Sequence, residues 1–151
     1  MLIASVIVCN LAGVIGSLFT VSSIPTWYAS LNRPWFSPPN WVFGPVWITL
    51  YTLMGISLYL VWSKKDSAKV ERNVFIAFFT QLILNALWSI VFFGLHSIAG
   101  AFIVIILLWL LITATILLFW RHSKTASILM IPYIIWVSFA TILNFSYMTL
   151  N

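Results

Sequence analysis

Five long apolar runs constrain this chain more than any other feature of its sequence. A helix needs roughly 20 apolar residues to cross the hydrocarbon core of a bilayer, and each run has about that length. Because the runs lack the period of two that a membrane β-strand requires, we expect helices. The sequence therefore predicts an all-α membrane protein, a bundle of five transmembrane helices. The predicted spans are Leu2–Ile24, Trp41–Trp62, Val74–Leu95, Ala99–Trp120 and Ile128–Leu150.

The charge content agrees with this class of protein. Charged residues make up 6% of the chain and the mean hydropathy is +1.11, whereas a soluble domain carries about 25% charged residues. The net charge of +5 does not indicate a nucleic-acid partner, because the seven basic residues lie between the apolar runs. The first run lacks the basic start and the short apolar core of a signal peptide, so we expect it to be retained as a helix.

The basic residues are distributed unequally between the connections. Six of the seven lie in the connections after the second and fourth runs, and only Arg33 lies in the connection after the first. Lys and Arg collect on the cytoplasmic side of a membrane protein. This distribution therefore predicts a cytoplasmic N-terminus, with the C-terminus and the first loop outside.

The first loop is the longest connection and is rich in aromatic residues and proline. It runs over Pro25–Asn40, and the stretch Trp35–Trp47 holds three Trp, three Pro and two Phe. Pro38 and Pro39 cannot continue a helix, whereas Pro45 fits the first turn of the next one. Two interpretations stay open. In the first, the stretch forms a stiff lid over an apolar pocket. In the second, its Trp residues form a belt at the level of the lipid headgroups. The residues alone slightly favour the belt.

Conventional catalytic chemistry has no candidates inside the predicted spans. No Asp, Glu, Lys or Arg falls within them, which excludes paired-carboxylate catalysis and the proton relays of pumps. His96 and His122 fall in connections on opposite sides and cannot share a metal ion. The lone Cys9 excludes a disulfide within the chain and a cysteine-based zinc site. We therefore expect no metal, no cofactor, and no hydrolase or kinase activity.

Four amide side chains lie within the predicted spans, and each is unfavourable in hydrocarbon unless it has a hydrogen-bond partner. They are Asn10, Gln81, Asn85 and Asn144. Hydrogen bonds between helices in a membrane average about 0.6 kcal/mol, so we interpret these amides first as groups that join helices. The alternative interpretation, contact with a bound ligand, stays open.

Three Trp residues share a helical stripe with a small or polar residue and should face the interior of the bundle. They are Trp47, Trp88 and Trp136. There an indole either fills the core or contacts a ligand, since aromatic faces suit both roles. Ala140 lies one turn after Trp136 and would leave room for a flat ligand. Asn85 would supply the polar contact expected of a mostly apolar pocket.

Three segments, Trp35–Tyr51, Gln81–Gly94 and Pro132–Asn144, occur in order on three different spans. Together they resemble the translocator protein family, the TspO/MBR or tryptophan-rich sensory proteins, also called peripheral-type benzodiazepine receptors. The resemblance covers nearly the whole chain and identifies residues 1–151 as a single transmembrane domain of this type. It implies five transmembrane helices, a pocket under the first loop and frequent homodimers. The short length and low charge resemble bacterial members.

The resemblance also implies ligands: porphyrins such as protoporphyrin IX, isoquinoline and benzodiazepine-type drugs, and cholesterol in animal members. By motif position, the implied ligand-binding residues are Tyr28, Pro38, Trp47, Asn85, Trp136 and Ala140. The family's sterol motif needs a basic residue shortly after a Tyr at the end of the fifth helix. Here Tyr147 is followed by Met-Thr-Leu-Asn, so we do not expect cholesterol as the native ligand.

Members of the family have been linked to light-dependent porphyrin breakdown. The resemblance therefore implies that Trp47 and Trp136 donate electrons to a bound pigment. The pigment itself supplies the light-driven reactivity. Arg33 would either pair with a porphyrin propionate or extend to the membrane interface. Three functions stay open: a receptor or sensor, a transporter of tetrapyrroles or other hydrophobic ligands, and an enzyme-like protein that degrades the pigment. No inverted repeat is evident in the sequence, which counts against the transporter.

Overall fold

The computed structural model describes residues 1–63 and 72–151 and, over these, confirms five helices long and apolar enough to cross a membrane. Each agrees with a predicted apolar run to within a few residues at each end. The spans are Leu2–Tyr28, Asn40–Trp62, Arg72–Gly94, Ile98–His122 and Lys124–Leu150. They are built from α1 (Leu2–Ser23), α2 (Asn40–Trp62), α3 (Arg72–Ser89), α4 (Ile98–His122), α5 (Lys124–Leu129) and α6 (Ile131–Leu150).

The first span is longer than predicted, because Pro25 does not end it. A π-helical segment, Ile24–Tyr28, continues α1 and carries Pro25 in its first turn. Proline has no N–H to donate and its ring crowds the carbonyl four residues earlier, and the wider π turn accommodates both. The connection to α2 therefore covers only residues 31–39, and the prediction of a loop beginning at Pro25 is wrong.

A second π-helical segment, Ile90–Gly94, continues α3 and packs against the first. The Ser23 hydroxyl donates to the Phe93 carbonyl at 2.7 Å, and the rings of Tyr28 and Phe93 lie 5.6 Å apart. Both segments lie at the end of the bundle that carries the 31–39 connection, which we call the loop end. Because π-helical turns are rare and often accompany functional sites, the loop end is where a site is expected.

The helices form a closed ring. α1 packs against α2 and α3, α4 packs against α3 and α6, and α5 closes the ring by contacting α2 and α4. α1 and α2 cross closely towards the opposite end, where a Cβ added at Gly55 would lie 2.5 Å from the Cα of Val6. Contacts between α2 and α6 are sparse, so space remains between them towards the loop end.

The half of the bundle opposite the loop end is filled by apolar side chains. Leu58, Phe78, Ile112, Phe119 and Met130 are almost completely buried there. The rings of Phe78 and Phe119 stack with their centroids 5.7 Å apart. The two halves of the bundle therefore differ, since one is a packed core and the other surrounds a cavity.

Candidate ligand-binding site

A cavity of about 520 Å³ lies inside the loop-end half of the bundle. Side chains from α1, α2, α3, α6 and both π-helical segments surround it, and many of them are aromatic or small. They include Tyr28, Trp47, Tyr51, Trp88, Trp136 and Ala140. Pockets for small molecules usually have volumes of roughly 300–1,000 Å³ and mainly apolar walls. This cavity has the size and the character of such a pocket.

Trp136 and Ala140 lie one turn apart on α6, and both line the cavity. The small Ala140 side chain leaves room beside the indole. The Trp136 Nε1 atom is buried and has no hydrogen-bond partner in the described part of the chain. A buried donor without an acceptor is unfavourable by roughly 1–3 kcal/mol.

Trp88 and Asn144, two further polar residues of the wall, are already paired. Trp88 Nε1 donates to Asn144 Oδ1 at 3.0 Å, and Asn144 Nδ2 donates to the Ile98 carbonyl at 3.0 Å. These hydrogen bonds join α3, α6 and α4, as the interpretation of Asn144 as a helix-joining amide predicts. They hold the wall in shape and leave the indole N–H of Trp88 occupied.

Asn85 lies behind the cavity wall rather than in it. Its Oδ1 accepts a hydrogen bond from the Tyr51 hydroxyl, and its Nδ2 donates to the Tyr133 hydroxyl at 2.9 Å. Tyr133 in turn donates to Gln81 Oε1 at 3.0 Å. This network joins α2, α3 and α6, so both amides act between helices. Asn85 can reach a ligand only through Tyr51.

Tyr51 connects that network to the cavity. The spacing of four residues from Trp47 predicts that both side chains lie on one inward helix face, and both line the cavity. The two rings stack with centroids 5.6 Å apart and planes inclined by 27°, and Trp47 also meets the Tyr133 ring at 6.3 Å.

Arg33 and Pro38 lie in the 31–39 connection at the loop end and are not part of the cavity wall. Arg33 Nη2 donates to Asn40 Oδ1 at 2.8 Å and to the Pro38 carbonyl at 3.5 Å, while Nε donates to the Tyr147 hydroxyl at 3.4 Å. The bond with Tyr147 raises the pKa of the Arg33 guanidinium above its usual value. Asn40 and Tyr147 line the cavity. The guanidinium of Arg33 is therefore separated from the cavity by one layer of side chains.

The aromatic residues around the first connection divide between two environments. Trp35 is 95% exposed, whereas Trp47 lines the cavity and Trp41, although 74% exposed, also contributes to its wall. The rings of Phe36 and Phe139 lie 6.3 Å apart, and this contact fastens the connection to α6. The stretch therefore contributes to the pocket, while the belt interpretation stays a prediction for Trp35.

The cavity opens sideways between α1 and α2. Three of its lining residues, Val14, Val21 and Ile48, are 54%, 69% and 62% exposed on the outer surface of the bundle. In a membrane, an apolar helical surface of this kind meets lipid rather than water. The opening therefore gives a hydrophobic molecule a route into the cavity from the bilayer.

The groups near the cavity suit binding rather than acid–base catalysis. Within the described residues, no three His, Cys, Asp or Glu side chains lie close enough to hold a metal ion. His96 stacks on Trp27 at the loop end, with ring centroids 4.4 Å apart, and His122 ends α4 at the opposite end. The polar groups that remain are phenols, amides, indoles and one guanidinium. None of these titrates ordinarily near neutral pH.

Five helices long and apolar enough to span a membrane, with an apolar, tryptophan-lined cavity among them, define a multi-pass integral membrane protein. Comparison with known protein families gives the same result more specifically. Residues 5–150 match the TspO/MBR family, and the chain belongs to that family. The resemblance found in the sequence is therefore confirmed over nearly the whole chain.

Relatives of similar length include prokaryotic and human proteins. The chain is 45% identical to the tryptophan-rich protein TspO of Archaeoglobus fulgidus, over 99% of this chain and 96% of that protein. It is 40% identical to the tryptophan-rich sensory protein of Cereibacter sphaeroides, over 83% and 77% of the two chains. It is 37% identical to the translocator protein of Homo sapiens, over 87% and 78%.

Proposed function

We propose that this protein is a membrane receptor or sensor that binds flat, apolar molecules. Porphyrins such as protoporphyrin IX are the proposed main class, with isoquinoline and benzodiazepine-type compounds as further ligands. The observation that carries the proposal is the apolar cavity of about 520 Å³ whose wall contains Trp47, Tyr51, Trp88 and Trp136. Such a wall favours a ligand with a flat π face. Family membership supports the porphyrin class.

Binding fits the architecture better than transport does. The cavity occupies the loop-end half of the bundle, and core residues such as Leu58, Phe78 and Phe119 fill the other half. A transporter must open its site to both sides of the membrane in turn. Here that would require repacking a dense core, whereas binding from the bilayer through the gap between α1 and α2 requires no such change.

The binding proposal is tested by fluorescence titration of the purified protein with protoporphyrin IX. In Ala140→Phe, the new ring occupies the space beside Trp136, and we expect affinity to fall at least about tenfold, which corresponds to ~1.4 kcal/mol. Ile142→Phe is the matched control, because Ile142 lies on the same helix and is exposed on the outer surface. Unchanged affinity in a monodisperse Ala140→Phe protein would exclude this cavity as the site.

We extend the proposal to light-dependent breakdown of the bound porphyrin. The excited pigment accepts an electron from a nearby indole and passes it to oxygen, which becomes superoxide. The oxidised indole then recovers an electron from the pigment, and the pigment cation combines with superoxide. The net change is the addition of one O2 to the pigment, so the protein supplies only a nearby indole that cycles as electron donor. Trp47 and Trp136 both line the cavity and are the proposed donors. Illumination of the saturated complex in air should give a defined product with the wild type, at a rate that Trp47→Phe and Trp136→Phe both lower. Equal rates in all three proteins would mean that the breakdown is ordinary photobleaching, in which neither indole takes part.

A further inference from the structure

The guanidinium of Arg33 lies directly behind the loop end of the cavity wall. Its three side-chain neighbours all line the cavity, although Arg33 itself does not. They are Asn40, 2.8 Å from Nη2, Tyr147, 3.4 Å from Nε, and Tyr28, whose ring centre is 5.3 Å from Cζ. A group bound at the loop end of the cavity would therefore lie next to the partners of a fixed positive charge.

One donor of this charge has no acceptor among the described residues. Arg33 Nη1 donates to no atom within residues 1–63 and 72–151, since only Nε and Nη2 form hydrogen bonds there. The hydroxyl oxygens of Tyr147 and Tyr28 lie 2.8 Å apart beside the guanidinium. α2 begins at Asn40, beside the same group, without a side-chain cap. The first N–H groups of α2 add further positive potential.

No Asp or Glu side chain of the described chain balances this charge. The protein has two acidic residues, Asp66 and Glu71, and both lie outside the described residues. The amide oxygen of Asn40 and the phenol of Tyr147 are neutral acceptors, whereas a carboxylate adds a full opposite charge and can accept two parallel hydrogen bonds from one guanidinium. A carboxylate brought by a ligand would therefore compete well for the guanidinium.

We propose that Arg33, Tyr28, Tyr147 and Asn40 form a subsite for the carboxylate of an amphipathic ligand whose apolar body fills the cavity. The Tyr28 O–H and the guanidinium donate to the carboxylate, and the Asn40 amide moves aside. The planar fork of arginine matches a carboxylate in shape as well as in charge. The inference rests on the proposed function and adds an orientation to it, with the acid group at the loop end and the apolar end towards Trp136.

The test compares each acid with its own neutral ester. Protoporphyrin IX and its dimethyl ester are titrated into the purified protein in neutral detergent, and so are the fluorescent fatty acid parinaric acid and its methyl ester. We expect the wild type to bind the acid of a pair about tenfold more tightly than the ester. Arg33→Gln should lower the affinity for the acid about tenfold and that for the ester much less, so that the preference disappears. Arg33→Lys keeps the positive charge but loses the planar guanidinium, so it should keep part of the preference for the acid.

Arg121→Gln is the matched control, because Arg121 lies in the last turn of α4 at the opposite end of the bundle. Retained ester binding shows that each variant is folded. If acid and ester bind the wild type equally in both pairs, or if Arg33→Gln weakens acid and ester alike, the subsite is overturned while the proposed function stands. If only the fatty-acid pair shows the Arg33-dependent preference, the subsite stands and its carboxylate belongs to a lipid. The porphyrin class of the proposed function is then decided separately, by whether Ala140→Phe weakens protoporphyrin binding.

Discussion

Trp136 is an indole whose buried N–H has no acceptor among the described residues. Trp136→Phe keeps an aromatic ring in the wall but removes both this unsatisfied donor and part of the indole. Removal of the unsatisfied donor offsets the lost packing, so we expect little change in the free energy of unfolding. Affinity for a flat aromatic ligand should fall about fivefold, because the smaller ring loses stacking contact worth about 1 kcal/mol. Thermal unfolding and ligand titration measure the two effects.

Trp88 provides the comparison for that prediction, because its N–H is already bonded to Asn144. Trp88→Phe leaves the Asn144 Oδ1 atom without its donor, so the free energy of unfolding should fall by about 1–3 kcal/mol. Trp88→Phe should therefore lower mainly the free energy of unfolding, whereas Trp136→Phe should lower mainly the affinity for the ligand. Equal losses of stability in both would mean that the Trp136 N–H is satisfied in the folded protein.

Sequence reasoning placed the side chains of the site on the correct helix faces but could not assign their partners. The helical spacing of Trp136 and Ala140 was enough to put both in one wall. Asn85 also faces inward, yet phenols from α2 and α6 occupy its amide. Which neighbour meets an inward amide depends on how three helices pack, and no spacing within one helix contains that information.

At the scale of elements, the apolar runs determine the five spans, while the ends of the spans depend on contacts between helices. Pro25 predicts a helix end by local rules, but the first π-helical segment carries the chain past it. That segment is held by the Ser23 hydroxyl, which donates to a carbonyl of the second π-helical segment 70 residues away in sequence. A contact of this range cannot be deduced from the residues around Pro25.

The crossing of α1 and α2 makes a prediction about two glycines of the same helix. A Cβ at Gly55 would lie 2.5 Å from the Val6 Cα, whereas a Cβ at Gly44 would meet nothing within 4 Å. Gly55→Ala forces two backbones apart, and we expect it to destabilise the protein by about 1–3 kcal/mol. Gly44→Ala should be neutral or stabilising by up to about 1 kcal/mol, because alanine is the better helix former. Thermal unfolding in detergent measures both, and equal shifts would contradict the close crossing.

At the scale of the whole molecule, the cavity and most of the basic residues occupy opposite ends. The loop end carries Arg33 as its single basic residue, and the other six follow α2 or lie around the end of α4. Of these six, Lys64, Lys65 and Lys69 lie outside the described residues. Since Lys and Arg collect on the cytoplasmic side, we propose that the loop end faces outwards. The cavity would then open into the outer leaflet.

This orientation can be measured with single cysteines introduced into a Cys9→Ser background. Trp35 at the loop end is almost fully exposed, and Thr125 at the opposite end is also exposed. Replacing either one leaves every basic residue in place. A membrane-impermeant maleimide should label Trp35→Cys in intact cells and Thr125→Cys only after the membrane is permeabilised. The reverse pattern would place the N-terminus outside. It would also turn the mouth of the cavity, and the carboxylate subsite with it, towards the cytoplasm, so that a ligand would have to reach the protein from the inner leaflet.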